Sequence, residues 1–449
     1  MNHWKPYQPS QSLPWNIQRV NHLHRRAAFG ATWSELERDF HDGAEASVSR
    51  LLEGTARTYS QRDDFNSISR IIGESAVSSE DEQRLKAWWL FRCLFTPDPL
   101  QEKLTLMWHN HFATSNLKVQ NLQLMLRQNE LLRQHARAPF REMLLAVLQD
   151  AAMLVWLDAS SNRQGHPNEN LARELMELFT LGIGNYSETD VKQAARALTG
   201  WSIKAGKVSF RREQHDAEIK TVLGQTARLD TFSLVELLLE HEATSRRLAW
   251  RLCDLLMGEQ VVSAAGLEEL AAGLREHHLD IGWAVATILR SELFFSEANI
   301  GTRVSSPVEH IVSCTRSLEM LDKPPSTLIL ADWCSRLGQE LFRPPNVGGW
   351  PGGRSWLNSR TIIGRANFGT ALLAGELHSP TQPAELTRFV SAYIGKGGPP
   401  QVSTTQFSTV QLFEALLLSV PRTNKSAVSS DVPKEIVGEL LSSPQACLN

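Results

Sequence analysis

Residues 165–201 read GHPNENLARELMELFTLGIGNYSETDVKQAARALTGW, and this stretch decides the fold class. Pro167 suits the first turn of a helix, where its missing N–H costs nothing. From Asn168 the pattern turns helical. At about 100° per residue, Leu171, Ala172, Leu175, Met176, Leu178 and Phe179 fall on one side. Gly182 and Gly184 supply the C-cap chemistry that ends the helix. Ser187 then opens a second helix, with Asp190 as an acidic variant of the capping box. Two amphipathic helices joined by a Gly-rich turn are the unit of a helical protein.

The polar side of the first helix carries the candidate chemistry. Asn170, Glu174 and Glu177 form a narrow band, with Glu169 and Arg173 beside it. Carboxylates at i and i+3, with an amide one turn earlier, can hold a divalent metal or share a proton. Spacing alone favours the plainer reading, a solvated helix face on which Arg173 pairs with Glu169 or Glu177.

Working outward, further helices are expected at Ile17–Ala28, Ala46–Leu52, Glu80–Phe95, Leu100–Phe112, Val119–Ala136 and Phe140–Ala151. Thr32 and Glu35 make a capping box, and Asp98-Pro99 an N-cap followed by N1. Residues 55–80 are polar and weakly periodic, with a short helix at Phe65–Ile72. Leu154–Leu157 reads as a strand or a buried turn. Beyond Trp201, Val208–Phe210 and Lys220–Leu223 read as a small hairpin. Amphipathic helices then recur from Phe232 to Leu337. The fold class is mainly α, a multi-helix globular body with long ordered loops and at most a small β-hairpin. Residues 1–15 read as an N-terminal arm, 16–378 as the helical body, and 379–449 as a C-terminal helical appendage with a linker-like stretch at 395–406.

Three other places carry candidate groups. In MWHNHF, His111 lies on the apolar stripe and His109 is about 200° away on an intact helix, so the two converge as metal ligands only if the helix breaks near His109. His166 is delivered by the loop before the first helix, and His215-Asp216 lies between the expected strands; a His-Asp pair can bind metal or orient a base. In LFRPPNVGGWPGGRSWLN, Pro and Gly specify a loop. There Trp350 and Trp356 pack into a cleft or serve as contact anchors, with Asn346 and Arg354 as polar tips. The HLHRR run at 22–26 reads as a solvated or helix-end feature.

Composition narrows the function classes. A net charge of -3 gives no reason to expect nucleic acid or an anionic membrane surface. The five Cys have neither disulfide-framework nor zinc spacing and read as buried small hydrophobes of a reducing compartment. No apolar run reaches membrane-span length, and the N-terminal residues lack an apolar h-region, so a cytoplasmic location is expected unless a partner carries the chain out.

The segments HLHRRAAFGAT (22–32), WHNHFATS (108–115), NENLARELMELFTLGIGNYSETDV (168–191), AARALTGW (194–201), HDAEIKTVLG (215–224), SPVEHIV (306–312) and PPNVGGWPGG (344–353) resemble the bacterial family catalogued as domain of unknown function 1800. The resemblance implies a shared helical body and no established activity. It also implies a neighbouring sulfatase- or phosphatase-like protein as a functional partner. Many relatives look secreted, and relatives commonly carry a Gly between the His-Asp pair and the Lys; this chain departs on both points. His109, His111, Asn170, Glu174, Glu177, His215 and Asp216 all fall inside these segments.

Two functions are therefore expected. One is a metal-assisted hydrolase. Its ligands come from His109, His111, Asn170, Glu174 and Glu177, and its acid–base group is His166 or His215 with Asp216. The other is a non-catalytic accessory or maturation partner, docking through the loop around Trp350.

Overall fold

The computed structural model describes residues 2–54, 59–378, 381, 384–393, 408–420 and 432–449; the linker-like stretch 395–406 lies outside them. The helix Pro99–His111 runs through the middle. It starts where the sequence says it must: the Gln101 N–H donates to Asp98 Oδ1 at 3.1 Å, with Pro99 in the first turn. It is buried almost all round. Leu100, Leu104, Met107 and Trp108 enter one hydrophobic core, and Leu106 enters a second.

Two charged residues of this helix are buried and paired. Glu102 accepts from Arg92 Nε at 2.8 Å and Arg133 Nη2 at 3.1 Å. Burial pushes its carboxyl up, but Arg133 and Arg92 outweigh that and hold it at about 2. Lys103 reaches Glu309 at 2.6 Å.

The first core is built on the helices Phe140–Leu148, Thr231–Glu240, Glu242–Leu256, Ala264–Glu276 and Ile281–Leu289, together with the stretch 170–180. The second gathers Glu82–Phe95, Pro307–Ser317, Thr327–Arg336, Ser359–Ala374, Thr409–Leu417 and Pro433–Leu441. At the N-terminal end, the Trp4 Nε1–H donates to the Gly266 carbonyl at 2.9 Å. At the C-terminal end, Val304 and Leu448 form an antiparallel bridge. The five Cys are free and buried.

The mainly α fold class holds, with corrections in detail. The short helix expected at Phe65–Ile72 extends over Tyr59–Ser78. Its periodicity is weak, but it packs on the next helix, where Phe65 stacks on Phe91 and the Trp88 Nε1–H donates to the Ser69 carbonyl at 2.7 Å; tertiary packing stabilises a helix that propensity alone would not. Leu154–Leu157 is no strand: its first three residues end a helix, Ala151–Trp156, capped by Asp150, and Leu157, buried, begins the turn that follows. Val208–Phe210 and Lys220–Leu223 do not pair with each other. Trp201–Lys204 pairs with Lys207–Phe210, and Lys220–Val222 with Gln225–Ala227. Each hairpin turns on two residues of positive φ, Ala205-Gly206 and Leu223-Gly224, the geometry that matches strand twist in tight hairpins. The run at 22–26 is a helix-end feature, with His24, Arg25 and Arg26 in the last turn of Ile17–Ala27, but it is not solvated: His22, His24, Arg25 and Arg26 are all buried.

Candidate functional site

The helix Pro99–His111 does not break at His109, so the two histidines leave it on different sides. His109 is wholly buried against Trp89, Phe342 and Trp350, with ring centroids 5.0–5.7 Å apart in that aromatic group. Among the described residues neither of its ring nitrogens has a hydrogen-bond partner, and burial pulls its pKa down to about 3. His111 packs instead among Trp108, Phe112, Phe140 and Phe179, with Nε2 3.2 Å from the Phe179 carbonyl. Burial also pulls it well below the ordinary imidazole range. They share no site.

The carboxylate band has a different setting. The helix opens as α over Asn170–Glu174 and widens to a π-helix over Leu175–Thr180. The widening is held by Thr180, whose hydroxyl donates to the Leu175 carbonyl at 2.6 Å, and by the Leu181 N–H donating to the Met176 carbonyl at 2.9 Å. Leu171, Ala172, Leu175, Met176 and Phe179 are buried as the periodicity requires. Glu174 and Glu177 are half-buried, not solvated. Burial raises the Glu174 carboxyl, and the neighbouring Glu177 raises it further. The Tyr186 hydroxyl donates to Glu177 Oε2 at 2.9 Å.

Other groups near the band point away or frame it. Arg173 forks onto Glu188 at 2.8 Å for both bonds and reaches Glu169 at 3.2 Å. The Arg247 Nε–H donates to the Leu178 carbonyl at 2.6 Å, and its charge faces Glu177 and Tyr186. Asn170 is exposed and turns to Asp158, 3.4 Å away. Among the described residues, no group of three or more His, Cys, Asp or Glu is placed to hold a metal ion.

His166 is exposed in its loop and forms a bridge with Arg163. Asp216 holds the start of the second hairpin against the helix Glu188–Ala197. Arg196 forks onto Asp216 at 2.7 and 3.2 Å, and the Asp216 N–H donates to Thr199 Oγ1 at 2.8 Å. Burial works against the Asp216 carboxylate, but the Arg196 guanidinium and the Glu218 N–H lower its pKa overall. His215 Nδ1 lies 3.0 Å from the Thr199 carbonyl.

The loop from Leu341 turns its indoles inward. Trp350 and Trp356 are 4% and 6% exposed, so they anchor the loop from within and do not project from it. Asn346 and Arg354 remain exposed tips, Arg354 pairing with Glu259 at 3.1 Å. The Trp350 N–H donates to Asn110 Oδ1 at 2.6 Å. Trp356 forms one wall of a cleft of about 450 Å³ that also takes in Lys103, Asn110, Arg251, Arg303 and Glu309.

Sequence reasoning missed several residues. Tyr186 and Arg247 reach Glu177 from outside its helix, where no spacing rule reaches. Lys103 and Arg251 read locally as ordinary charges of amphipathic helices. Only Glu309 had a local signal: it stands third in the helix after Ser306 and closes a capping box.

No helix among the described residues is long and apolar enough to cross a membrane. Neither curated proteins nor solved structures give a match to the chain. The family model described as Protein of unknown function (DUF1800) matches residues 22–446, nearly the whole length, and the chain belongs to that family.

Proposed function

We propose that the chain is an enzyme of hydrolytic type with Glu174 and Glu177 as its acid–base pair. One observation carries this reading: two half-buried carboxylates flank the point where an α-helix widens to π, and burial together with the like charge of Glu177 raises Glu174. Such single-turn widenings occur often at functional sites. A raised Glu174 keeps its proton at pH values where a solvated glutamate has lost it, and so has a proton to give to a leaving group. Glu177, oriented by the Tyr186 hydroxyl, is the base for a water. Two carboxyls whose surroundings differ are the usual basis of such a division of roles. The proposal does not draw on His166, His215 or Asp216.

The metal-assisted form expected from the sequence draws on His109, His111, Asn170, Glu174 and Glu177; with both histidines turned elsewhere, a divalent cation would rest on Glu174 and Glu177. The experiment separates the two forms. Wild-type protein, Glu174→Gln and Glu177→Gln are screened against chromogenic esters, phosphates and glycosides, with and without added Mn²⁺ or Zn²⁺, and bound metal is read by elemental mass spectrometry. Hydrolysis that falls by about a hundredfold or more in each variant, with the urea midpoint unchanged, is expected. Turnover unchanged in both variants sinks the assignment. A cation that survives gel filtration, is needed for turnover and is lost in Glu177→Gln turns it into the metal-assisted form.

A further inference from the structure

We infer that the cleft between the helices Pro99–His111 and Glu242–Leu256 is a binding site for the acidic group of a small ligand, held by Arg251 and Arg303. The site stands whether or not the Glu174–Glu177 pair is catalytic.

The charges around this cleft are unbalanced. At the floor, Glu309 takes Lys103 at 2.6 Å and both bonds of Arg303 Nη1, at 3.0 and 2.9 Å. One carboxylate thus serves two cations. Behind them lie Arg25 and Arg26, both buried, and Arg26 acts on Lys103 as a like charge. These two arginines bring no anion with them. Arg25 donates to Ser313 Oγ and the carbonyls of Leu417 and Leu448, and Arg26 to the Asn299 carbonyl and Thr302 Oγ1. On the wall, Arg251 has Asp254 only at 3.7 Å, and its Nε is buried with no hydrogen-bond partner. Glu259, also on the wall, is already matched by Arg354. Arg25, Arg26, Lys103, Arg251 and Arg303 therefore face two carboxylates, Glu309 and Asp254.

Buried charge left unmatched is costly, and an anion in the cleft would offset it. Lys103 already has three acceptors, in Glu309 and the carbonyls of Arg25 and Ala28. Arg303 gives Nη1 to Glu309 and Nε to the Asp254 carbonyl at 3.2 Å, which leaves its Nη2, while Arg251, with Asp254 at 3.7 Å, is the guanidinium left to fork onto a carboxylate or phosphate. The remaining lining includes Trp250, Met257, Val262 and Trp356, which suits an apolar or aromatic body. The volume of about 450 Å³ is in the range of small-molecule pockets. Segments 108–115, 306–312 and 344–353, distant in the chain, all contribute to the lining.

The test is isothermal titration calorimetry on the full chain at fixed ionic strength, with phenyl phosphate, phenylacetate and inorganic phosphate as probes. At least one aromatic acid is expected to bind more tightly than inorganic phosphate. Arg251→Gln should weaken it about tenfold or more, the effect of losing a hydrogen bond to a charged group. Arg246→Gln, on the exposed side of the same helix, should leave it unchanged. Preference for phenyl phosphate assigns a phosphate, and preference for phenylacetate a carboxylate. If Arg251→Gln does not fold, Val262→Trp narrows the cleft from its half-buried wall and should weaken binding equally. No heat with any probe, or undiminished affinity in the folded variant, overturns the inference.

Discussion

Lys103 Nζ stands 2.6 Å from Glu309 Oε1, both side chains buried, and the pair ties the central helix to Pro307–Ser317. Glu309 also accepts the Ser306 N–H at 2.7 Å, so one carboxylate caps its own helix and neutralises a cation from another. Burial works against its charge, but Arg303 and Lys103 hold its pKa far below the ordinary carboxylate range. Glu309→Gln keeps the shape and removes the charge, leaving Lys103 and Arg303 unmatched. We expect a loss of about 3–5 kcal/mol in urea unfolding, with Lys103→Met/Glu309→Met losing less than the sum of its single changes. Additive losses would mean that the two residues do not act as a pair.

His109 makes the opposite case, a buried polar ring that bonds to nothing in its aromatic cage. His109→Phe should be neutral or stabilising at pH 7.5. The sign with pH follows from burial. The unfolded imidazole protonates near 6.5 and the folded one only at about 3, so between these values acid favours the unfolded chain. At pH 5 the wild type should lose roughly 2 kcal/mol that His109→Phe keeps. Urea midpoints measured at pH 7.5 and 5 decide this, and equal acid losses in the two proteins would refute it.

Asp150 is 7% exposed and accepts from the Met153 N–H at 2.9 Å and Gln128 Nε2 at 2.8 Å. Burial outweighs those bonds and raises its carboxyl to about 6. From pH 4 to 6 the unfolded chain gives up this proton first, so the native state loses up to roughly 3 kcal/mol as pH rises. Asp150→Asn retains a good N-cap. It should be the more stable protein above pH 6, with the difference vanishing near pH 4. A constant difference across that window would count against a raised Asp150.

Gly349 has φ +86°, and a Cβ there would meet the Asn110 carbonyl oxygen at 2.5 Å. Gly349→Ala should cost about 1–3 kcal/mol from backbone strain alone, and the crowding at Asn110 adds to it. Faster proteolysis after Arg343 or Arg354 would report release of the loop. An alanine variant as stable and as resistant as wild type would show that Asn110 can give way.

Local rules carried much of the fold. The capping boxes at Thr32–Glu35 and Ser187–Asp190, the Asp98-Pro99 start and the turn at Gly182 stand where the sequence puts them. They were legible because each depends on neighbours within a few residues. The apolar stripe of 171–179 was legible for the same reason, since a helix sets which residues share a face.

What lay beyond reach depends on contacts between distant segments. That Tyr186 and Arg247 reach Glu177 follows from other segments of the chain, not from its spacing on the helix. That the HLHRR run is interior follows from a helix sheltered by Phe294 and the C-terminal residues, which no local pattern records. His109 and His111 occupied opposite sides as an intact helix requires, yet only packing decided that one ring would bond to nothing. Periodicity assigns a residue to a face; which segment covers that face, and how much water it excludes, is set by the tertiary structure, and burial and pairing together determine the charge a group carries.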